Sequence, residues 1–208
     1  MSYSILFHTL DNDMARKLYD EMKAEGHRCY PAAPNNPEGG VSEALQNNDA
    51  MDVLVLSIPT CALKDKRVHS QTIRDELDTE ALLDELSCNV NGILQTTFKA
   101  IPLLQKGKLK RIVMLTDPAS SIRETREEKD YAYHMSQAAA NMILKILFNT
   151  YRPEGFTFRC FAQSVDGIGI GAMEYIFTDQ SFIETDDPIH SDENRLVMRD
   201  GMLRELSW

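Results

Sequence analysis

The sequence predicts an α/β fold: a doubly wound, mainly parallel sheet of about six strands with helices on both faces. Three observations predict it. Ile112-Val113-Met114-Leu115 is a continuous apolar run between a basic lead-in and Thr116-Asp117-Pro118, which suits a strand buried on both sides of a parallel sheet. From Tyr131 the pattern changes, and Tyr133, Ala138 or Gln137, Met142, Leu144, Ile146 and Leu147 recur at spacings near three and four, which is helical. The chain also begins as strand, turn, helix: Ile5-Leu6-Phe7, then Asp11 or Asn12 as a cap, then a helix from Met14 to Glu25 ending at Gly26. A length of 208 residues suits one such sheet in a single domain spanning the chain.

The remaining elements follow in order. Arg28-Cys29-Tyr30 predicts a second strand, after which Pro31, Pro34, Pro37, Gly39 and Gly40 break regular structure. Val41 to Gln46 reads as a short helix and Asp52 to Ser57 as the next strand. The polar stretch Thr60 to Thr79, with Lys64, Lys66 and Arg67, reads as a solvated loop. Glu80 to Leu104 predicts a long amphipathic helix in which Asn89 needs a polar partner. Phe156 to Phe161 is the strand after the Tyr131 helix. The glycines of Asp166 to Gly171 are spaced like a phosphate loop. They come late and without the first strand before them, so a flexible connection is expected. Phe177 to Glu193 is acidic but lacks the spacing and central Gly of a calcium loop, and reads as surface. Leu196-Val197-Met198 predicts a last strand.

Composition narrows the function. Hydrophobic content of 43% is enough to bury a sizeable core. A net charge of −10 argues against a nucleic-acid or anionic-membrane partner, because both need a positive surface. Cys29, Cys61, Cys88 and Cys160 are scattered and read as reduced thiols, and no CxxC pair or Cys/His cluster points to a metal. The first residues lack a basic segment followed by a long apolar run, and no stretch approaches a membrane span, so a cytoplasmic protein is expected.

The segment Tyr131 to Asn141 resembles the part of the short-chain dehydrogenases/reductases in which a catalytic Tyr is followed four residues later by a Lys. Tyr133 takes the Tyr position and Gln137 stands at the Lys position. Leu86 to Gly92 resembles the family's helix carrying an Asn, here Asn89. Arg111 to Asp117 resembles the strand that ends in the family's Ser, a place Asp117 occupies, with Ser120 and Ser121 just beyond. The resemblance covers about Asp52 to Phe161, and the ending Asp200 to Trp208 extends it to the last residue. It implies a Rossmann-like fold, and in the family's active members an NAD(P) cofactor and carbonyl or alcohol chemistry.

Against that pattern, the first turn departs most. The family's turn is glycine-rich because only bare backbone lets a pyrophosphate approach the helix N-terminus. Here it is His8-Thr9-Leu10-Asp11-Asn12-Asp13-Met14-Ala15, with no glycine. Leu10, Met14 and Arg16 stand at the three glycine positions and Thr9 beside them, while Asp11 and Asp13 place negative charge where phosphate would sit. At the end of the third strand, Leu56-Ser57-Ile58-Pro59 replaces the family's Asn-Asn-Ala-Gly turn, and Pro59 has no N–H to offer. Arg28 reads as a solvated strand-edge charge. A reductase Tyr must exchange a proton near neutral pH although a free phenol titrates near ~10. The family's Lys lowers it; neutral Gln137 has no charge with which to do so, and ionised Asp117 opposes it. Asn89 and Tyr133 therefore read as a satisfied polar pair between helices. His134, the next residue, is expected on a different helix side, in solvent.

Three functions follow. The first is a non-catalytic, cofactor-free relative of the reductases that keeps the fold for binding or assembly. The second is an atypical NAD(P)-dependent oxidoreductase acting on a small carbonyl or alcohol. The third is a small-molecule sensor using the vacated crevice. The resembled family pairs its long helices across a two-fold axis. Glu80 to Leu104 and Tyr131 to Tyr151 carry more apolar residues than one buried stripe needs, so a homodimer or tetramer is expected.

Overall fold

A computed structural model describes residues 2–32, 44, 46, 48–58, 72–75, 78–162, 175–177 and 194–208. Seven strands form one sheet in the order β2-β1-β3-β4-β5-β6-β7. These are β1 (Ser4–Phe7), β2 (Arg28–Pro31), β3 (Val53–Ser57), β4 (Arg111–Thr116), β5 (Thr157–Ala162), β6 (Met198–Arg199) and β7 (Glu205–Leu206). Every neighbouring pair is parallel except β6 with β7. The helices are α1 (Asp13–Ala24), α2 (Thr79–Leu86), α3 (Gly92–Leu104) and α4 (Tyr131–Tyr151).

The central strands are buried on both faces, as their unbroken apolar runs require. Alternate residues point to opposite sides. Leu6, Leu54, Leu56, Ile112 and Met114 join Ile93 and Ala100 of α3 and Leu144 and Leu147 of α4 in one core layer. Ile5, Phe7, Val53, Val55, Val113 and Leu115 join Met14, Leu18 and Met22 of α1 in the other. A fully buried Leu18 contributes roughly 1.5–3 kcal/mol by leaving water. Truncating it to Ala is expected to cost about 2–5 kcal/mol, because a cavity remains.

Helix ends follow local chemistry. Asn12 caps α1, accepting at its side-chain oxygen from the amides of Met14 and Ala15, and Gly26 (φ +86°) closes the helix in the left-handed region. Gly107, in the turn after α3, has no room for a side chain: a Cβ there would lie 1.8 Å from the Met51 carbonyl oxygen. The predicted Glu80 to Leu104 helix is two α-helices joined by a π-helical turn, Ser87–Asn91. That turn holds one residue more than an α turn and carries Asn89 on its buried side.

Elsewhere the structure refines the reading. The last predicted strand is shorter and later, Met198–Arg199 in place of Leu196 to Met198. Asp200 ends it by accepting from the amides of Met202 and Arg204 and from the Arg204 side chain, which turns the chain back as β7. The expected solvated Arg28 is exposed and donates to Ser4 Oγ at 2.6 Å. Cys29, Cys88 and Cys160 are free thiols. Burial pushes the Cys160 thiol well above its ordinary range, so it stays protonated. Cys61, most of the Val41 to Gln46 helix, most of the Thr60 to Thr79 loop, the glycines of Asp166 to Gly171 and nearly all of Phe177 to Glu193 lie outside the described residues. Among the described residues, no helix is long and apolar enough to cross a membrane, and no cluster of His, Cys, Asp and Glu could hold a metal.

Candidate functional site

At the carboxyl ends of β4 and β5, α4 brings three of the sequence-predicted residues together. Asp117 follows β4, and its Oδ1 accepts from the Ala119 amide at 2.7 Å, starting the short 3-10 turn Pro118–Ser120. The Tyr133 hydroxyl faces Asp117 and Gln137. Its proton is held far more tightly than in a free phenol. Burial is the main cause, and the Asp117 charge and hydrogen bond add to it. Gln137 opposes through its own hydrogen bond, and the Glu85 charge adds a little more. Gln137 is buried and accepts at Oε1 from Thr116 Oγ1 at 3.3 Å. Tyr133 is thus a neutral donor set against a carboxylate, which is the reverse of what a proton-exchanging phenol needs.

Asn89 is placed differently from expectation. Its side-chain amide donates to Ser136 Oγ at 2.9 Å and to Glu85 Oε1 at 3.2 Å, and Ser136 Oγ donates to the Tyr133 carbonyl oxygen at 2.8 Å. The polar link between helices therefore runs through Ser136 and the backbone, and not through the Tyr133 hydroxyl. One helical step explains it: Ser136 lies three residues beyond Tyr133, on the side of α4 that meets the π-helical turn. Glu85, Ser136 and Thr116 were not singled out in the sequence; only the i, i+4 spacing of Glu85 and Asn89 signals one of them.

His134 is also corrected. It is half-buried, not in solvent. Its Nδ1 lies 2.9 Å from the Asp130 carbonyl oxygen, which fixes Nδ1 as the protonated nitrogen and leaves Nε2 enclosed without a hydrogen-bond partner. The chain before α4 folds over it, lining a cavity of about 510 Å³ with Thr125, Glu127 and Tyr131.

The turn after β1 is filled by its own side chains. Thr9 is buried and its Oγ1 accepts from the Asp11 amide at 2.9 Å. Asn12 Oδ1 accepts from the Met14 and Ala15 amides at 3.0 and 3.1 Å, and its Nδ2 donates to the Ile58 carbonyl oxygen at 3.1 Å. The Arg16 guanidinium turns back to the Leu10 carbonyl oxygen and to Asp13, while Met14 is buried in the core. Leu56 is a core residue, and Ser57 Oγ is enclosed without a partner.

Beneath this turn lies a residue the sequence did not mark. His8 is 1% exposed, its Nδ1 sits 2.8 Å from Thr96 Oγ1 and its Nε2 has no partner. A Cβ at Gly92 would lie 3.4 Å from its ring. Burial lowers its pKa to about 4, so the imidazole is neutral.

Comparisons with known proteins agree with this architecture. No family model matches the chain. The chain is 32% identical over 81 residues to C-signal of Myxococcus xanthus, covering 39% of this chain and 49% of that protein. It is 26% identical over 149 residues to the oxidoreductase UcpA of Salmonella typhimurium, covering 69% and 53%. The chain spans about half the length of the curated relatives it matches. Among solved structures, the carbonyl reductase Sniffer of Caenorhabditis elegans aligns over all of both chains with a TM-score of 0.70 and 14% identity. A short-chain dehydrogenase/reductase from Burkholderia multivorans, solved with NADP, aligns over 99% of this chain and all of its own, with a TM-score of 0.65 and 14% identity. An NADH-dependent reductase solved with NAD covers 85% of this chain and 88% of its own, with a TM-score of 0.63 and 16% identity.

Proposed function

The chain is short-chain dehydrogenase/reductase-like in fold, and from that premise we propose that it is a non-catalytic member of that group, kept for binding or assembly and binding no nicotinamide nucleotide in the usual pose. One observation carries the reading: the first amides of α1, which a pyrophosphate would need, are taken by Asn12 of the same turn. Met14 and Arg16 add side-chain volume at two glycine positions, and the Arg16 guanidinium is spent on Leu10 and Asp13. The residues present at the cradle do not fit a dinucleotide pyrophosphate. At the other end of the crevice Gln137 carries no ammonium to hold a ribose or to draw the proton from Tyr133, and Asp117 opposes that loss.

Assembly is the companion reading. Phe98 on α3 and Met135 and Ile146 on α4 are large apolar side chains left in solvent. They favour a homodimer or tetramer through these helices. Light scattering at micromolar concentration tests this, and a monomer would count against it.

Two alternatives remain. An atypical NAD(P)-dependent oxidoreductase is favoured by the solved neighbours that hold NAD or NADP and by Tyr133 and Asn89 at the family positions. A small-ligand sensor in the crevice is favoured by the enclosed, unpartnered Ser57 Oγ and His8 Nε2 at the carboxyl ends of β3 and β1. The deciding experiment is titration with NADH and NADPH, followed by nucleotide fluorescence. Absence of saturable binding at millimolar nucleotide is expected. Micromolar binding would revive the enzyme and end the first reading.

A further inference from the structure

On the side of α4 away from the crevice lies a groove with no part in the reading above. It is a cavity of about 500 Å³ between α4 and the chain's final segment, within the roughly 300–1,000 Å³ of small-molecule sites. Its walls are mainly apolar, with Ile122, Met142 and Phe148 on one side and Leu196 and Trp208 on the other. Two cations reach it. Arg195 is neutralised by both oxygens of Glu205, at 3.0 and 2.7 Å. Lys145 lies with its Nζ 4.9 Å from the centre of the Phe148 ring and pairs with no carboxylate among the described residues. A ring face attracts an ammonium but does not cancel its charge.

A cation with no carboxylate partner among the described residues, over an apolar wall and in a chain of net charge −10, selects one kind of small molecule. A large polyanion meets repulsion from the rest of the surface, and a neutral hydrocarbon leaves Lys145 without a partner. We propose that this groove binds a small amphipathic monocarboxylate, an alkyl chain of medium length whose carboxylate pairs with Lys145 and whose tail lies along Met142, Phe148 and Trp208. The carboxylate sits at the rim, where Lys145 is exposed, so its partial hydration is kept while the tail leaves water. This site is separate from the crevice, and its failure would leave the reading of the crevice untouched.

The protein carries one tryptophan, Trp208, and it lines the groove, so occupancy has a built-in reporter. The experiment titrates the full chain with decanoate, decanol and decylamine below their aggregation concentrations and follows Trp208 emission. Saturable change with decanoate is expected, with decanol and decylamine at least tenfold weaker. Lys145→Gln, at an exposed position and with its fold checked by circular dichroism, is expected to weaken decanoate about tenfold and to leave decanol unchanged. Ala138→Phe, which fills the groove, is expected to abolish both. Equal affinity for decanoate and decanol, indifference to Lys145→Gln, or no saturable change would overturn the proposal. So would ligand-free emission that depends on protein concentration and is lost in Met142→Glu, since a second copy of the chain would then cover the groove.

Discussion

Asn12 Nδ2 donates to the Ile58 carbonyl oxygen at 3.1 Å, while the same side chain's Oδ1 takes the first free amides of α1. One short side chain thereby ties the β1–α1 turn to the end of β3 across the mouth of the crevice. Asn12→Ala removes the cap and the tie together. The expected loss is about 1 kcal/mol, or a melting temperature lower by roughly 2–4 °C for a chain of this size, read by calorimetry. An unchanged melting temperature would mean that other groups already satisfy the amides.

Tyr133 should titrate late. Its folded pKa lies above the ordinary phenol value of ~10, so the stability it contributes is complete below that pH and is lost as pH rises beyond it. Difference titration of the wild type against Tyr133→Phe, followed at the tyrosinate absorbance, isolates it from the other tyrosines. Asp117→Asn removes the charge while keeping an acceptor oxygen, and burial, the larger cause, stays. The phenol should move down but remain above its ordinary value. A fall to the ordinary value would make Asp117, and not burial, the dominant influence.

Gln137→Lys tests the two ends of the crevice separately. A buried ammonium beside Tyr133 should draw its pKa downward. Neither the single variant nor its combination with Asp117→Ser should gain nucleotide binding or ketone reduction, because Asn12, Met14 and Arg16 still occupy the cradle. Cofactor-dependent turnover by the single variant would show that the cradle admits a dinucleotide after all.

His8 sets an acid limit. Its folded pKa is lowered from 6.5 to about 4 by burial. The stability from keeping it neutral is therefore complete above pH ~6.5 and is lost as pH falls towards ~4, by up to about 3 kcal/mol. Urea midpoints measured from pH 7 to 4 should fall more steeply for the wild type than for His8→Gln. Parallel curves would place the acid sensitivity elsewhere.

The fold was legible because its signals are local. Ile5 to Phe7, Val53 to Leu56 and Ile112 to Leu115 are unbroken apolar runs, and each lies in a strand whose every residue is buried. Tyr133, Gln137 and Asp117, which the resemblance singled out, lie together, since one strand end and one helix face suffice to bring them there. What stayed hidden depends on neighbours distant in sequence. Asn89 meets Ser136 across 47 positions, and a lone His8 at a strand end has no pattern to set it apart. Arg111 and Arg159 look like strand-edge charges, yet both are fully buried, with Arg159 donating to the Tyr175 carbonyl oxygen and lying over its ring. The bounds of β6 and the turn back into β7 escaped because Asp200, not an apolar run, decides where β6 stops.

The π-helical turn at Ser87–Asn91 acts as a phase corrector. In an unbroken α-helix, eight residues rotate by about 800°, which would leave Ile93 about 80° away from Glu85. Absorbing one extra residue reduces the offset to about 20°, so Glu85, Asn89 and Ile93 share one buried line. The insertion is therefore what lets a carboxylate in α2 and the sheet-facing residues of α3 be inward at once. A single-residue deletion in this turn would be felt least where it was made. It would rotate the whole of α2 by a little more than a quarter turn, carrying Glu85 away from Asn89 and Tyr133 and bringing a neighbouring side chain into its place.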